Sequence, residues 1–324
     1  MTKQDKKIDF SIAIPAFNEE RDLVDCLKSI EMQNYPKDKI EVIVVDNYSK
    51  DNTIKIAKSF SKKLNIKVLK NKTLDAESSK LMGFNNSKGD FFMYLDADMR
   101  FGDKDFVKKM LYPLKQDKKI GGVFVKFIIN KKHPSLTRTL SYDEFQRDPI
   151  FEFFTLGIND IVIEKNRDYW LCNCFPNRVP PQALMIYRKA LVEDYAKTQS
   201  QLIDNEIPAV IAEKTHYFAF VPSTGVEHLL LRSLKELWRK RIINLERTYF
   251  PNEQKRKFKW INWKKDWSKI GIWLVYTNSI IFPIIVSLYK CFKYKDICFL
   301  NEPILNIVST YAIIFGVLSN KLKK

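Results

Sequence analysis

Short apolar runs alternate with segments of helical period through the first hundred residues. Residues 10–15 (FSIAIP) and 41–46 (EVIVVD) are continuous, rich in β-branched side chains and closed by a proline or an acid, which marks strands buried on both faces. Residues 66–69 and 91–95 (FFMYL) predict two more strands. Between the first two, Asn18 is placed to cap a helix that carries Glu19 and Glu20 in its first turn and Leu23, Leu27 and Ile30 at helical spacing. Asp51 or Asn52 is placed to cap a second helix through Ile54 and Ala57, and residues 76–86 read as a third. Strand and helix in strict alternation predict an α/β fold, a mostly parallel sheet flanked by helices.

Sheets of this kind bind ligands at the carboxyl ends of their strands. Three polar, acid-bearing turns fall at those ends: residues 15–19 after the first strand, 46–53 after the second and 96–98 after the fourth. Asp96 and Asp98 are two residues apart, so extended backbone would turn both carboxylates to one side. Two carboxylates on one side suit a hard divalent cation, Mg or Mn, that keeps some of its waters and also binds phosphate oxygens. Such an ion would neutralise a departing diphosphate.

The order SIAIPAFNEE, VIVVDNYSKDNT, a Lys80-Leu81-Met82-Gly83 stretch and SKGDFFMYLDADM resembles the family 2 glycosyltransferases of GT-A fold. That resemblance implies roles. Pro15, Ala16, Phe17 and Glu19 would line a nucleoside pocket, and Asp46 would contact the base or ribose. Lys80, standing where the family usually has arginine, would face the diphosphate. Asp96 and Ala97 would meet the donor, with Asp96 and Asp98 on the metal. Two positions depart from the family pattern, Asn47 in place of an acid and Tyr48 in place of a glycine. Further on, Ile203-Asp204-Asn205-Glu206 is similar to the family's acidic segment, in which the residue aligned with Asp204 is the general base of an inverting transfer. Ile203 replaces the first acid there, and Pro208 is expected to interrupt the helix that follows. Val226-Glu227-His228 resembles a Val-x-His that adds a third metal ligand, His228.

Charge redraws the picture beyond residue 230. The chain of 324 residues carries 55 Lys and Arg against 38 Asp and Glu, a net +17, yet residues 230–324 alone hold 19 basic residues against 6 acids. Five of the six tryptophans (Trp238, Trp260, Trp263, Trp267, Trp273) fall in the same third. Residues 270–289 hold no formal charge over 20 positions, enough for a helix to cross about 30 Å of hydrocarbon. Residues 303–320 form a second uncharged stretch led by Pro303, which reads as a marginal span or a surface helix. Basic residues draw such a segment to anionic headgroups while tryptophan settles at the interface. The expected organisation is a GT-A, Rossmann-like domain over 1–229, a basic, Trp-rich interface segment over 230–269, and a hydrophobic hairpin of transmembrane or re-entrant helices over 270–324. Heavier positive charge outside the hairpin than in its loop puts the catalytic domain on the cytoplasmic face of a membrane.

Composition excludes several classes. At 45% hydrophobic and 29% charged residues the chain is neither disordered nor collagen-like, and five cysteines are no disulfide scaffold. Cys172-x-Cys174 lacks a second pair at zinc-finger spacing, so no zinc role is expected. The N-terminus shows no apolar stretch of signal-peptide length. The leading expectation is an enzyme that moves a sugar from a nucleotide-diphosphate sugar to a lipid-linked or cell-surface glycan at the membrane. A polyprenyl-phosphate acceptor is the alternative, with Arg239, Lys240 or Arg241 holding the phosphate. The remaining option, a non-catalytic basic protein binding membrane or nucleic acid, is weaker, because lipid explains basic charge beside uncharged stretches better than nucleic acid does.

Overall fold

The computed structural model describes residues 7–73, 75–180, 184–252, 256–259, 261–262 and 265–322. Trp260 and Trp263, which figure in the sequence pattern, lie outside the described residues. The chain forms two compact units, one of Met1–Ile128 and Ile158–His228, the other of Ile129–Gly157 and Leu229–Lys324.

The first unit is built on a nine-stranded sheet. Its strands in chain order are β1 (Phe10–Ala16), β2 (Ile40–Asp46), β3 (Asn65–Lys70), β4 (Phe91–Tyr94), β6 (Ile120–Phe124), β7 (Val162–Lys165), β8 (Trp170–Asn173), β9 (Met185–Arg188) and β10 (Tyr217–Phe220), with β5 (Met99–Phe101) and β11 (Val226–His228) in a separate antiparallel pair. The sheet runs β3-β2-β1-β4-β9-β6-β10-β8-β7. Strands β1 to β4 are mutually parallel, as are β6 and β10, while β9 lies antiparallel between β4 and β6. Every residue of β1 and β2 is buried, as their continuous apolar runs require, whereas the edge strand β3 alternates. Each isoleucine or valine so buried contributes about 1.5–3 kcal/mol. Helices α1 (Leu23–Glu31), α2 (Thr53–Ser59), α3 (Ala76–Asn85) and α4 (Phe106–Gln116) alternate with the strands.

Two predicted helix starts differ in detail. The first helix begins at Leu23, and Asn18 adopts a left-handed φ of 57°, a conformation that asparagine tolerates, to form the turn ahead of it. Pro208 does not interrupt the helix after Asp204. It sits in the first turn of a helix over Ile207–Ala212, where its missing N–H costs nothing.

The second unit gathers residues 129–157, expected within the first domain, with the C-terminal segments. It is helical, with elements over Ser135–Ser141, Pro149–Phe154, Leu234–Asn244, Trp267–Asn278, Ile281–Tyr294 and Glu302–Leu322. Leu140, Leu231, Leu237 and Leu305 form one core cluster, and Ile150, Trp273 and Ile313 another. Residues 270–289, expected to make one apolar helix, are broken at Ser279–Ile280, and the flanking helices bend by 78°. Ser279 closes the first helix with its N–H on Val275 and its hydroxyl on Tyr276, Ile280 takes a φ of 60°, and Pro283 falls in the first turn of the next helix. The stretch expected to be marginal is the long one: among the described residues, Ile297–Asn320 is a helix long and apolar enough to cross a membrane, and half of its most apolar window is buried within the protein.

Candidate active site

The loops after β1, β2 and β4 meet at the carboxyl edge of the sheet. Pro15 and Ala16 end β1 as buried residues opposite Val45 and Asp46, and Phe17 beyond them is 54% exposed. The first two loops are stitched together by side chains that bond to backbone. Asn18 N–H donates to Ser49 Oγ (2.9 Å), Lys50 N–H donates to Asn18 Oδ1 (2.9 Å) and Glu19 N–H donates to Thr53 Oγ1 (2.8 Å). Asp46 is fully buried, and both its carboxylate oxygens accept from Ser49 N–H at 3.2 and 3.3 Å, closing its own turn. Tyr48, at a φ of 59°, projects outward and is 44% exposed. Two exposed aromatic rings thus flank the rim, and the polar atoms beneath them are fixed by hydrogen bonds.

The third loop holds the acids. Leu95 N–H continues the ladder onto Ala13 C=O, and Met99 N–H then returns to Asp96 C=O at 2.9 Å. Asp96 and Asp98 therefore share a tight turn and not the extended backbone expected of them, with Ala97 buried between them. The pairing of β5 with β11 sets His228 opposite Met99. Gly225 lets β11 lie against residues 126–128 on its other side, since a Cβ there would lie 2.3 Å from the Lys126 carbonyl oxygen. Ligand atoms of Asp96, Asp98 and His228 all lie within 4.8 Å of one another, with His228 Nε2 3.5 Å from Asp98 Oδ1. Two carboxylates and an imidazole form a donor set suited to Mn or Mg. The surroundings fit a cation as well. Burial, reinforced by the charges of Asp98, Asp22, Asp96 and Asp51, pushes the Glu19 carboxyl up to about 7.

A second cluster lies inside the same unit. Gly83 lets α3 approach β1 so closely that a Cβ would stand 2.5 Å from that of Ala13. One turn earlier, Lys80 is 3% exposed, its ammonium bonded to Asp204 Oδ2, 3.2 Å from Glu77 Oε1 and 4.2 Å from the centre of the Tyr94 ring. Asp204 is brought there by the preceding loop, where Leu202 N–H donates to Glu77 C=O (3.0 Å) and Gln201 Nε2 to Asp75 Oδ1 (3.2 Å). Burial by itself would lower the Lys80 ammonium, but Asp204, Glu77 and Asp96 outweigh it and raise the group. Burial and the Glu77 charge raise Asp204 against the pull of Lys80. The residues expected as diphosphate contact and base are therefore direct partners. Glu77, unnoticed in the sequence, joins them; its position three residues before Lys80 was the available signal.

Arg239 and Arg241 belong to the helical unit. Arg239 is exposed. Arg241 bonds to the buried Asp148 and stacks 4.6 Å from the Phe151 ring centre, and Asp148 also accepts from Ser309 Oγ at 2.8 Å.

The mixed sheet, its alternating helices and an acid turn at the edge of its fourth strand define a GT-A-like α/β domain. A mannosyltransferase from Pyrobaculum calidifontis, solved with GDP-Man and Mn2+, shares the fold at a TM-score of 0.51 and 16% identity, over 72% of this chain and 61% of its own. The sequence model of glycosyl transferase family 2 matches residues 11–193, and the chain belongs to that family. It is 32% identical over 130 residues to dolichyl N-acetyl-alpha-D-glucosaminyl phosphate 3-beta-D-2,3-diacetamido-2,3-dideoxy-beta-D-glucuronosyltransferase of Methanococcus voltae, covering 37% of this chain and 40% of that protein. It is 33% identical over 91 residues to the poly(ribitol-phosphate) beta-N-acetylglucosaminyltransferase TarS of Staphylococcus aureus (strain Mu50), covering 28% of this chain and 16% of TarS. The chain thus spans less than half the length of these curated relatives.

Proposed function

We propose that the protein is a metal-dependent glycosyltransferase that moves a sugar, with inversion, from a nucleotide-diphosphate sugar to a glycan hydroxyl on a lipid-linked or cell-surface acceptor. The observation that carries this reading is the convergence of Asp96, Asp98 and His228 at the carboxyl edge of the sheet. These residues would hold a divalent cation, which when bound offsets charge developing on the diphosphate. The hydrogen-bonded loops bearing Pro15, Ala16, Phe17, Glu19 and Asp46 supply the rim against which a nucleoside is oriented. Lys80 contributes positive potential from within the fold, and Asp204 takes the proton of the attacking hydroxyl.

The name of the Methanococcus voltae relative describes transfer to a sugar on dolichyl phosphate, which favours a lipid-linked acceptor. Membrane association through the apolar helices of the second unit agrees with that choice. The outward apolar side chains of the bent pair support it, with Ile280, Ile281 and Phe282 all more than half exposed. A polyprenyl-phosphate acceptor is the weaker reading because Arg241 is committed to Asp148 and Lys240 to Glu236 and the Leu230 carbonyl, which leaves Arg239 of the three.

The test is release of nucleoside diphosphate from UDP-, GDP- and dTDP-sugars with Mn or Mg, in the presence of membrane lipid extract. Cation-dependent release with one donor is expected, and chelation abolishes it. Failure across the whole panel overturns the reading. An Asp204→Asn variant then separates acceptors, since a sugar hydroxyl needs the base and an anionic phosphate does not.

A further inference from the structure

The Lys80 site holds more acid than one ammonium needs. Asp204 and Glu77 both contact the Lys80 ammonium, and each keeps a second oxygen, Asp204 Oδ1 and Glu77 Oε2, buried without a hydrogen-bond partner. A lone carboxylate bonded to a buried lysine is a poor base, because the ammonium stabilises its ionised form. An additional anion on the same ammonium works the other way, since like charges in a low-dielectric site disfavour each other's ionisation and titrate as a pair.

We infer that Glu77 is a positioning residue for the transfer: by sharing the Lys80 ammonium with Asp204 it stops that lysine from neutralising the base, and it fixes where both side chains point. This rests on the proposed role of Asp204. Glu77 is itself set by the backbone, since its carbonyl accepts from Leu202 N–H two residues before Asp204, so the acid that tunes the base also anchors the loop carrying it. Among the described residues, the acids facing the pair oppose its ionisation, while Lys80 and the Tyr94 hydroxyl bonded to Asp204 favour it. Asp75 caps α3 and Lys80 lies within it, Tyr94 comes from β4, Asp96 from the turn after it and Tyr187 from β9, and Lys80 is the cation in this group. Burial and the neighbouring acids raise both carboxyls, against the pull of Lys80, and a raised carboxyl is a stronger base once ionised.

The test is the pH dependence of kcat/KM in Glu77→Gln, a neutral variant of the same shape. Loss of the neighbouring anion makes Asp204 more acidic and a weaker base. The rising limb of the profile should therefore move to lower pH while the plateau drops by about tenfold or more. Glu77→Asp, which keeps the charge, should hold the limb near its original position. A Glu77 that only supported the fold would lower the rate without moving the limb, and that result overturns the inference. Titration of the Asp204 carboxyl by carbon-13 NMR reports the same coupling without turnover. An unmoved Asp204 midpoint in Glu77→Gln overturns the inference, whereas undiminished activity in Asp204→Asn with a moved midpoint overturns the role of the base instead.

Discussion

The two units handle buried charge in opposite ways. Among the described residues of the helical unit, internal charges meet partners of opposite sign: Arg138 with Asp296 at 3.0 Å, Arg241 with Asp148, and Lys290 with Glu302 at 2.8 Å. In the sheet unit acids instead outnumber their cations, with Asp96, Asp98 and Glu19 in one field and Glu77 and Asp204 sharing the single Lys80 ammonium. Paired charges hold helices in register and ask for nothing more. A cluster of one sign costs folding energy and persists where a ligand or a reaction uses it.

The largest effect that would sharpen this contrast is at the acid turn. Replacing Asp96 and Asp98 together by alanine should lower sugar-nucleotide turnover at least a hundredfold, by about the margin that loss of charge stabilisation usually costs. The same change relieves repulsion, so without added cation the variant should unfold at the same temperature or higher. Turnover at the original rate would break both the contrast and the proposed function. Next comes Asp148→Ala in the helical unit, which strands the Arg241 guanidinium and removes the acceptor of Ser309 Oγ. Loss of one partner of a buried pair costs about 3–5 kcal/mol, read from the denaturant midpoint of the full chain. Replacing both members by apolar residues of similar volume should recover most of that loss. No apolar replacement should restore activity at Asp96 and Asp98, and a double variant that did so would erase the distinction.

The sequence disclosed what is local. Strands β1 and β2 are unbroken apolar runs, and the helix read over 76–86 runs Ala76–Asn85, its start fixed locally by Asp75 accepting from Ser78 N–H. Asp96 and Asp98 stood out because two acids followed FFMYL. What escaped depends on distant partners. His228 reaches Asp98 only through the β5–β11 pairing, so it entered by resemblance and not from its neighbours in sequence. Glu77 looks like a solvated helix acid until the loop before Asp204 folds over it. The break at Ser279–Ile280 has no charge or glycine to announce it, and an uncharged count over 270–289 reads straight through. The excursion 129–157 gives no compositional sign that it packs with residues far along the chain.

The smallest effect separates the two kinds of charge by pH alone. Glu19 is held up to about 7 from an ordinary 4.5, so between those values the folded chain keeps a proton that the unfolded chain has released. The state that binds more protons loses ground as pH rises, so this carboxyl makes stability fall from about pH 4.5 to 7 and adds no further slope above. Asp296 of the helical unit acts in the reverse sense: lowered by hydrogen bonds and by Arg138 despite some burial, it gives stability that is lost as pH falls below its ordinary range. Denaturant midpoints at intervals from pH 5 to 8 should therefore decline less steeply in Glu19→Gln than in the original chain. Saturating Mn or Mg should flatten the original chain in the same way, because a cation among Asp96, Asp98 and His228 offsets the charges that hold Glu19 up. If cation left the slope unchanged while Glu19→Gln removed it, burial alone would set the Glu19 midpoint, and the acids at the sheet edge would no longer form one field.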